Sequence, residues 1–599
     1  MFLILSAKLC FFAFSAFTGT KALTIRQTPV HELSIIQNLE FSPSISLNNI
    51  PEKFNVTFSL EGESRNIRLG LSRNEGIFSH AIFVNHLGSD GKIRKVETIP
   101  EKSHLVFLGT VFLAQDNGDF QQRAGWARIT VHYKNGVHLL EGAFSIDGIT
   151  YNVQTDDIYR RTKSAGDLDV PVSQNPYSIA WRDTQGRGRD YRQKRQVNNS
   201  AQCSFDNLDF NRGQLASIQR KSNLAELETR QNGDAGSLDL IDVIGSTEGC
   251  PNSRMVALLG IATDCTYTAQ FDSTDDLREH VLAQINTASQ LYEQSFNISL
   301  RVRNLTISDA ACPTQQTAEA PWNGDCSSGL STSDRLGVFS QWRSEIDDSE
   351  NAVWTLLTGC NSGSTVGIAW MGTLCRDGSS SWGSSSSTSS TNVVVRTPSE
   401  WQVIAHEIGH NFGAVHDCTA GCSASSESQP CCPYSEDTCD AGGNYIMNPA
   451  SNQGMTEFSP CSIGNICASL GRNLLEKSAI VVEKTAVKTM TAANRYPVAC
   501  NKEPSAIRVL IAAAQGSASF QGVASSVERV LDLVIRKRFA MAPQHHAQTM
   551  CELRMVRPVG AKKTVWLAPL ANAHLEICSA RLSSVLTAAP SHVIMTLVL

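Results

Sequence analysis

Three histidines and one glutamate between positions 406 and 416 have the types and spacing of a metal-dependent hydrolytic site: His406-Glu-Ile-Gly-His410-Asn-Phe-Gly413-Ala-Val-His416-Asp417. Residues four apart on a helix share a face, so His406 and His410 aim their imidazoles at one point. Gly413 takes a positive φ without strain, ends that helix and turns the chain so that His416 supplies a third ring. Three neutral imidazoles suit one Zn2+ ion and leave one position open to water. Glu407 lies beside that position as the general base, taking a proton from the water and passing it to the leaving amine. A bare His-Glu-x-x-His recurs by chance, and helix histidines are often only core residues. The glycine and third histidine at fixed offsets decide for the metal.

The elements that must position these residues are legible upstream. Thr397-Pro-Ser-Glu400 reads as a helix start, with Thr397 capping, Pro398 at the first helical position and Glu400 closing a capping box. Before it, β and α patterns alternate. Met255–Ile261 reads as a buried strand, Thr274–Phe296 as an amphipathic helix and Ile298–Ile307 as a second strand. Ser333–Ile346 is a helix candidate, and Ala352–Leu357, Ser364–Leu374 and Asn392–Val395 are strand candidates. The nearly all-serine stretch 379–390 reads as a surface loop.

At 599 residues the chain is too long for one core. Hydrophobic residues at 41% and charged ones at 18% are ordinary for a soluble globular protein. A net charge of -6 is small for this length and argues against nucleic acid as a partner. Met1–Phe17 is almost wholly apolar, with Lys8 its only charge, and small residues follow to Ala22, so 1–22 reads as a secretory signal. No later stretch has the 18 uninterrupted apolar residues of a span, and no anchor is expected in the processed sequence as given. After Cys10 no cysteine occurs until Cys203; fourteen then fall between Cys203 and Cys467, followed by Cys500, Cys551 and Cys578. That density implies export and about seven disulfides. Sequons at Asn55, Asn198, Asn297 and Asn304 agree with export to the secreted or cell-surface compartment.

Residues 23 to about 180 carry short alternating runs, such as Ile67–Leu71 and Ala127–Val131, separated by turn pairs at Asp90-Gly91 and Asn135-Gly136. They predict a β-rich, cysteine-free domain. It closes on Arg192-Gln-Lys-Arg195, a basic tetrad of the type cut by furin-like processing proteases. The expected division is a signal at 1–22, a propeptide at 23–195, a linker at 196–248 and a metalloprotease domain at 249–473.

Further pieces carry a family likeness. Asn444-Tyr-Ile-Met447-Asn-Pro449 resembles the methionine turn that floors the metal site of metzincins. Asp417 directly after the third histidine, the strand-like Val366–Cys375 and Phe458-Ser-Pro-Cys-Ser462 resemble the adamalysin/ADAM (reprolysin) branch, most like ADAM-type proteases of filamentous fungi. The resemblance implies an α/β catalytic domain with a mixed five-stranded twisted sheet, a lower subdomain around Met447, and one catalytic Zn2+. Protein or peptide substrate would add as a strand beside Val366–Thr373. It also implies a membrane anchor in relatives. Many ADAM propeptides hold the zinc with a cysteine, but 23–195 has none, so latency is expected to be steric or to use another ligand. The alternative is a catalytically silent adhesive protein on the same scaffold. Silencing usually removes a ligand or the base, and all four residues are retained.

From Leu474 the sequence turns Ala/Val-rich and cysteine-poor where that family continues into a cysteine-dense disintegrin domain. Reading the codons of Leu475–Asn494 from each third base permits Gly-Glu-Glu-Cys-Asp-Cys-Gly-Gly-Glu-Asp-Gly-Cys, because Ala and Val codons begin GC and GT and a preceding T makes each a cysteine codon. Ser525–Ala542 and Leu553–Gly560 behave alike. Residues 474–599 therefore read as a frame-shifted remnant of disintegrin and cysteine-rich domains, without a proper fold.

Overall fold

A computed structural model describes residues 30–182, 202–215 and 240–476, with short gaps, together with four strands between Tyr496 and Val598. The signal, the tetrad Arg192, Lys194 and Arg195, and Asn198 lie outside the described residues.

In the first region, alternation of apolar and polar residues produces strands with one buried face. They are β1 (Leu33–Ser42), β2 (Lys53–Leu60), β3 (Asn66–Arg73), β4 (Phe78–Leu87), β5 (Ile93–Pro100), β6 (Val106–Leu113), β7 (Gln122–Lys134), β8 (Val137–Ile146), β9 (Ile149–Thr155) and β10 (Ser178–Arg182). In β2, Phe54, Val56, Phe58 and Leu60 are buried while the residues between them are not. All but β4 and β5 close into a barrel in the order β1-β10-β9-β8-β7-β6-β3-β2, filled by Val56, Leu69, Val111, Ile129 and Phe144. Asn135-Gly136 joins β7 to β8 and Asp147-Gly148 joins β8 to β9, each pair at positive φ, the turn whose twist matches flanking strands.

The hairpin β4–β5 leaves the barrel and joins a second sheet. That sheet contains β11 (Gln202–Cys203), β12 (Met255–Thr263), β13 (Ile298–Ile307), β14 (Val353–Thr358), β15 (Thr365–Ala369) and β16 (Thr391–Val395), in the order β11-β15-β16-β14-β12-β13-β4-β5. Its middle five strands are the mixed set expected, with β15 alone antiparallel to its neighbour β16. Two additions come from upstream in the chain: β4 pairs parallel with β13 at one end, and β11 pairs parallel with β15 at the other.

Helices α1 (Asp156–Thr162), α2 (Cys265–Thr268), α3 (Thr274–Phe296), α4 (Thr332–Glu345), α5 (Glu400–Asn411) and α6 (Pro460–Glu476) complete the framework. α3 has the bounds its pattern predicts because both ends are chemically marked. The Ser273 hydroxyl accepts from the Asp276 backbone N–H, and Asn297 ends the helix in the left-handed region at φ 57°. α3 packs against β7 and β8 of the barrel and against β13 and α5. One continuous core therefore joins Ile82, Val84 and Ile99 of the hairpin to Val281, Ile285 and Tyr292 of α3 and to Ile404 and Ile408 of α5.

Disulfides pair Cys250–Cys467, Cys265–Cys312, Cys326–Cys360, Cys418–Cys431, Cys422–Cys439 and Cys432–Cys461, and Cys375 is also disulfide-bonded. Beyond α6, which runs through Asn473–Leu475, strand β17 (Tyr496–Val498) pairs with β12. Residues 501–599 form a separate unit whose described part is a three-stranded antiparallel sheet of β18 (Glu552–Val556), β19 (Lys562–Val565) and β20 (Ile594–Val598). The rest of the tail read as frame-shifted lies outside the described residues. Among the described residues no helix is long and apolar enough to cross a membrane.

Candidate metal centre

α5 is buried along its whole length, lying under the sheet and beside α3, whose Tyr292 hydroxyl donates to Ala405 O at 2.7 Å. Its start differs from the capping box expected at Thr397-Pro-Ser-Glu400. The helix begins at Glu400 behind Ser399, with no side-chain cap. The Glu400 carboxylate turns inward instead, accepting from Tyr267 Oη at 2.7 Å and facing His280 Nε2 at 3.3 Å. Tertiary partners have taken the group that a box would have used.

His406, His410 and His416 converge, with each Nε2 offering a ligand atom to one point. His410 Nε2 lies 3.0 Å from His406 Nε2 and 3.2 Å from His416 Nε2. The outer nitrogens are each spoken for. His406 Nδ1 donates to Ile446 O at 2.6 Å and His410 Nδ1 to Ala414 O at 2.8 Å, while His416 Nδ1 meets Asp206 Oδ2 at 3.0 Å. Those bonds fix the tautomer and leave the Nε2 lone pairs facing inward. Burial, with the neighbouring rings adding, drives His406 down to about 3 and His410 well below the usual imidazole value. Both are thus neutral and ready to ligate near neutral pH. Facing lone pairs at such distances repel one another unless a cation lies between them, and an all-imidazole set of three suits Zn2+. The residues fit the ion.

Glu407, one residue after the first ligand, is fully buried. Its carboxylate is seated against the backbone of Gly367 in β15: a Cβ there would stand 2.0 Å from Oε1. Glycine at 367 is what lets the Glu407 carboxylate and β15 approach so closely. Met447 is fully buried beneath α5, its Sδ 2.7 Å from where a Cβ on Gly409 would stand. Gly413, at φ 108°, makes the turn that delivers His416. Asp417 anchors that turn. Its backbone N–H donates to Met447 O at 2.9 Å, and Oδ1 accepts from Ser459 at 2.5 Å and Ser462 at 2.9 Å on the way into α6. Burial pushes its carboxyl up to about 6 despite those two hydroxyls.

The structure thus brings together every residue of the sequence motif, and adds three that the reading did not single out. Gly367 and Gly409 each carried a signal, an isolated glycine inside a strand or helix pattern marking close approach. Asp206 carried none, because its partner is 210 positions away. Among the sequon residues, Asn55 lies in β2, Asn297 caps α3, and Asn304 lies in β13 with its carboxamide oxygen accepting from Asn351 at 2.9 Å.

Sheet, helix and histidine cluster together define a metallopeptidase domain. A family model described as Reprolysin_5, metallo-peptidase family M12, matches residues 252–459. The chain is 39% identical over 480 residues to disintegrin and metalloproteinase domain-containing protein B of Aspergillus fumigatus, covering 75% of this chain and 60% of that protein. It is 35% identical over 464 residues to the protein of that name from Arthroderma benhamiae, covering 72% and 57%. It is 30% identical over 268 residues to zinc metalloprotease mde10 of Schizosaccharomyces pombe, covering 41% and 50%. The chain belongs to the ADAM/reprolysin family of metalloproteases, and it spans about 60% of the length of the first of these relatives.

Proposed function

We propose that the chain is a zinc metalloendopeptidase of the secretory pathway, made as a latent precursor. The observation carrying this reading is the convergence of His406, His410 and His416 with Glu407 one residue from the first ligand. A zinc ion bound there supplies Lewis acidity toward a peptide carbonyl and lowers the pKa of a water molecule from near 16 to about 7. The rest falls to residues of the chain. Glu407 accepts the water's proton at its carboxylate and returns it to the departing amine. Ile446 and Ala414 carbonyls hold the first two rings in the ligating tautomer. β15 has β16 on one side, and its other side, where β11 lies in this structure, is the edge on which an extended peptide would gain affinity from main-chain hydrogen bonds.

Further parts of the reading support this without being required by it. The apolar 1–22 serves as signal and Arg192–Arg195 as a furin-type processing site, with 23–195 as propeptide. Asn55, Asn198, Asn297 and Asn304 are glycan acceptors, and disulfides through 250–467 suit an oxidising compartment. Residues 474–599 derive from a shifted frame, and sequencing the transcript across Asn473–Leu475 checks that: the expected result is a junction or base change that restores a cysteine-rich frame.

The test of function is hydrolysis of casein or a quenched peptide by the processed chain, with and without a zinc chelator, beside Glu407→Ala. Chelator-sensitive turnover that Glu407→Ala abolishes is expected. A chain that holds zinc but cleaves nothing would instead be an adhesive protein on a silent protease scaffold.

A further inference from the structure

The segment from Gln202 to Leu215 falls where a linker was expected, yet its described residues are docked along the cleft. β11 takes the open side of β15, with Gln202 opposite Thr365 and Cys203 opposite Gly367, the residue that seats Glu407. Three positions further on, the Asp206 carboxylate meets His416 Nδ1 at 3.0 Å. Asn211, fully buried, brackets the chain just past β15: Nδ2 donates to Ala369 O and Oδ1 accepts from the Met371 N–H, both at 2.9 Å. Phe210 meets the Trp370 ring edge-on at 5.7 Å, and Leu215 packs with Met371 and Val415. The described residues of one segment thus reach β15, one of the three histidines and the chain just past β15.

We propose that residues 202–215 are an autoinhibitory segment that occupies the substrate edge of the cleft and remains there after the chain is cut at Arg195. This rests on the metalloendopeptidase reading of the same site. A strand edge accepts one partner at a time, so a peptide cannot pair with β15 until β11 leaves. Because the segment lies downstream of the tetrad, processing there leaves it covalently tethered to the domain it blocks. Tethering raises its local concentration to about the millimolar range, so that modest contacts suffice to outcompete dilute substrate. Activation then requires a second event, a cut between Leu215 and Leu240 or displacement by a tightly binding substrate. Asp206 does double duty, since it also orients the third metal ligand until the segment departs.

The experiment compares three forms of the full chain: one cut at Arg195, one cut there and also at a specific protease sequence placed between Leu215 and Leu240, and an Arg195-cut Asn211→Ala variant. Asp206→Ala, at a more exposed side chain, serves as the second variant should Asn211→Ala fold poorly. Turnover of a quenched peptide and binding of a fluorescent hydroxamate, which needs an accessible zinc but no hydrolysis, are both measured. The doubly cut chain and the variants are expected to exceed the Arg195-cut chain at least tenfold in both readouts, and added 202–215 peptide to reverse the gain. Equal probe binding and equal turnover in all forms would overturn the proposal. Probe binding that rises without any hydrolysis would uphold it and reject the protease reading instead.

Discussion

Glu141 of the barrel strand β8 and His280 of helix α3 are hydrogen-bonded to each other between two regions that the tetrad at 192–195 separates in sequence, and neither is reached by solvent. They belong to a longer chain of contacts. His132 Nε2 donates to Glu141 Oε2 and His132 Nδ1 to Glu279 Oε2, both at 2.8 Å, while Gln284 donates to Glu141 Oε1 at 3.1 Å. On the far side His280 faces Glu400, the first residue of the helix that carries His406 and His410. With both rings protonated, each ring nitrogen donates to a carboxylate oxygen. The barrel is thus tied, through charge, to the element that positions the site.

That network predicts a pH-dependent barrel attachment. Burial lowers the His132 value, but hydrogen bonds to Glu141 and Glu279 outweigh it and raise it from 6.5 to about 10. Burial likewise opposes ionisation of Glu141, but the charge of His280 and the bond from His132 hold it well below its usual 4.5. Burial and the Arg396 charge oppose protonation of His280, yet Glu141 and Glu400 raise it too. A raised histidine stabilises fully below its unfolded value and loses that contribution as pH climbs; a lowered carboxyl does so above its own and loses it in acid. Attachment is therefore strongest between about pH 4.5 and 6.5 and weakens toward pH 10. Thermal unfolding of the intact chain across that range should show the decline, and Glu141→Gln should flatten it. A wild-type profile as flat as the variant's contradicts the assignment.

Removing the shared partner altogether should cost more. Glu141→Ala leaves buried His280 and half-buried His132 without their common acceptor, and losing one member of a buried charged set typically costs ~3–5 kcal/mol. Denaturant unfolding of the uncut chain reads this directly. A loss below about 1 kcal/mol would place the network among marginal contacts.

The hairpin β4–β5 makes folding of the metallopeptidase domain depend on the region before the tetrad. Ile82 and Val84 are fully buried in the core shared with α3 and α5. Val84→Asp places an unpaired charge there and should abolish secretion of folded, chelator-sensitive protein. Normal yield of that variant would mean the hairpin is dispensable.

At the site, Gly367→Ala should act through Glu407 alone. The added methyl displaces the carboxylate that now sits against the strand, and a shift of about 1 Å at a catalytic group costs on the order of 100-fold in kcat. Zinc content should be unchanged, because the Ile446 and Ala414 carbonyls that hold two rings and the turn at Gly413 that delivers the third are untouched. Loss of zinc along with rate would assign Gly367 a structural role.

Asp417→Ala should loosen the metal rather than the chemistry. It removes the acceptor for Ser459 and Ser462 and frees the turn that delivers His416. A drop of roughly 1–3 kcal/mol in stability and faster zinc loss to chelator are expected. Unchanged zinc retention would show that the backbone bond to Met447 holds the turn alone.

Local chemistry made much of this legible, and distance hid the rest. α3 was readable to the residue because Ser273 and Asn297 mark its ends, and the sheet strands from Met255 to Val395 because each is a short apolar or alternating run. The strand expected over Ser364–Leu374, however, stops at Ala369, where the chain turns. The ligand set was readable because helix periodicity and one glycine place all three rings. The capping box at Thr397 was misleading because Glu400 has stronger partners in Tyr267 and His280, more than 100 positions away. The docking of β4 on β13 and of β11 on β15 left no periodic trace, since strand pairing is decided by the partner edge. Asn211 looks like any polar linker residue until its amide is seen bridging Ala369 and Met371.

The most direct measurement is metal analysis of the purified chain beside His410→Ala. One zinc per chain in the wild type, and none in the variant at equal folding, is the predicted result. Wild-type protein that is folded, carries its disulfides and binds no zinc when supplied with it would contradict the account at its base.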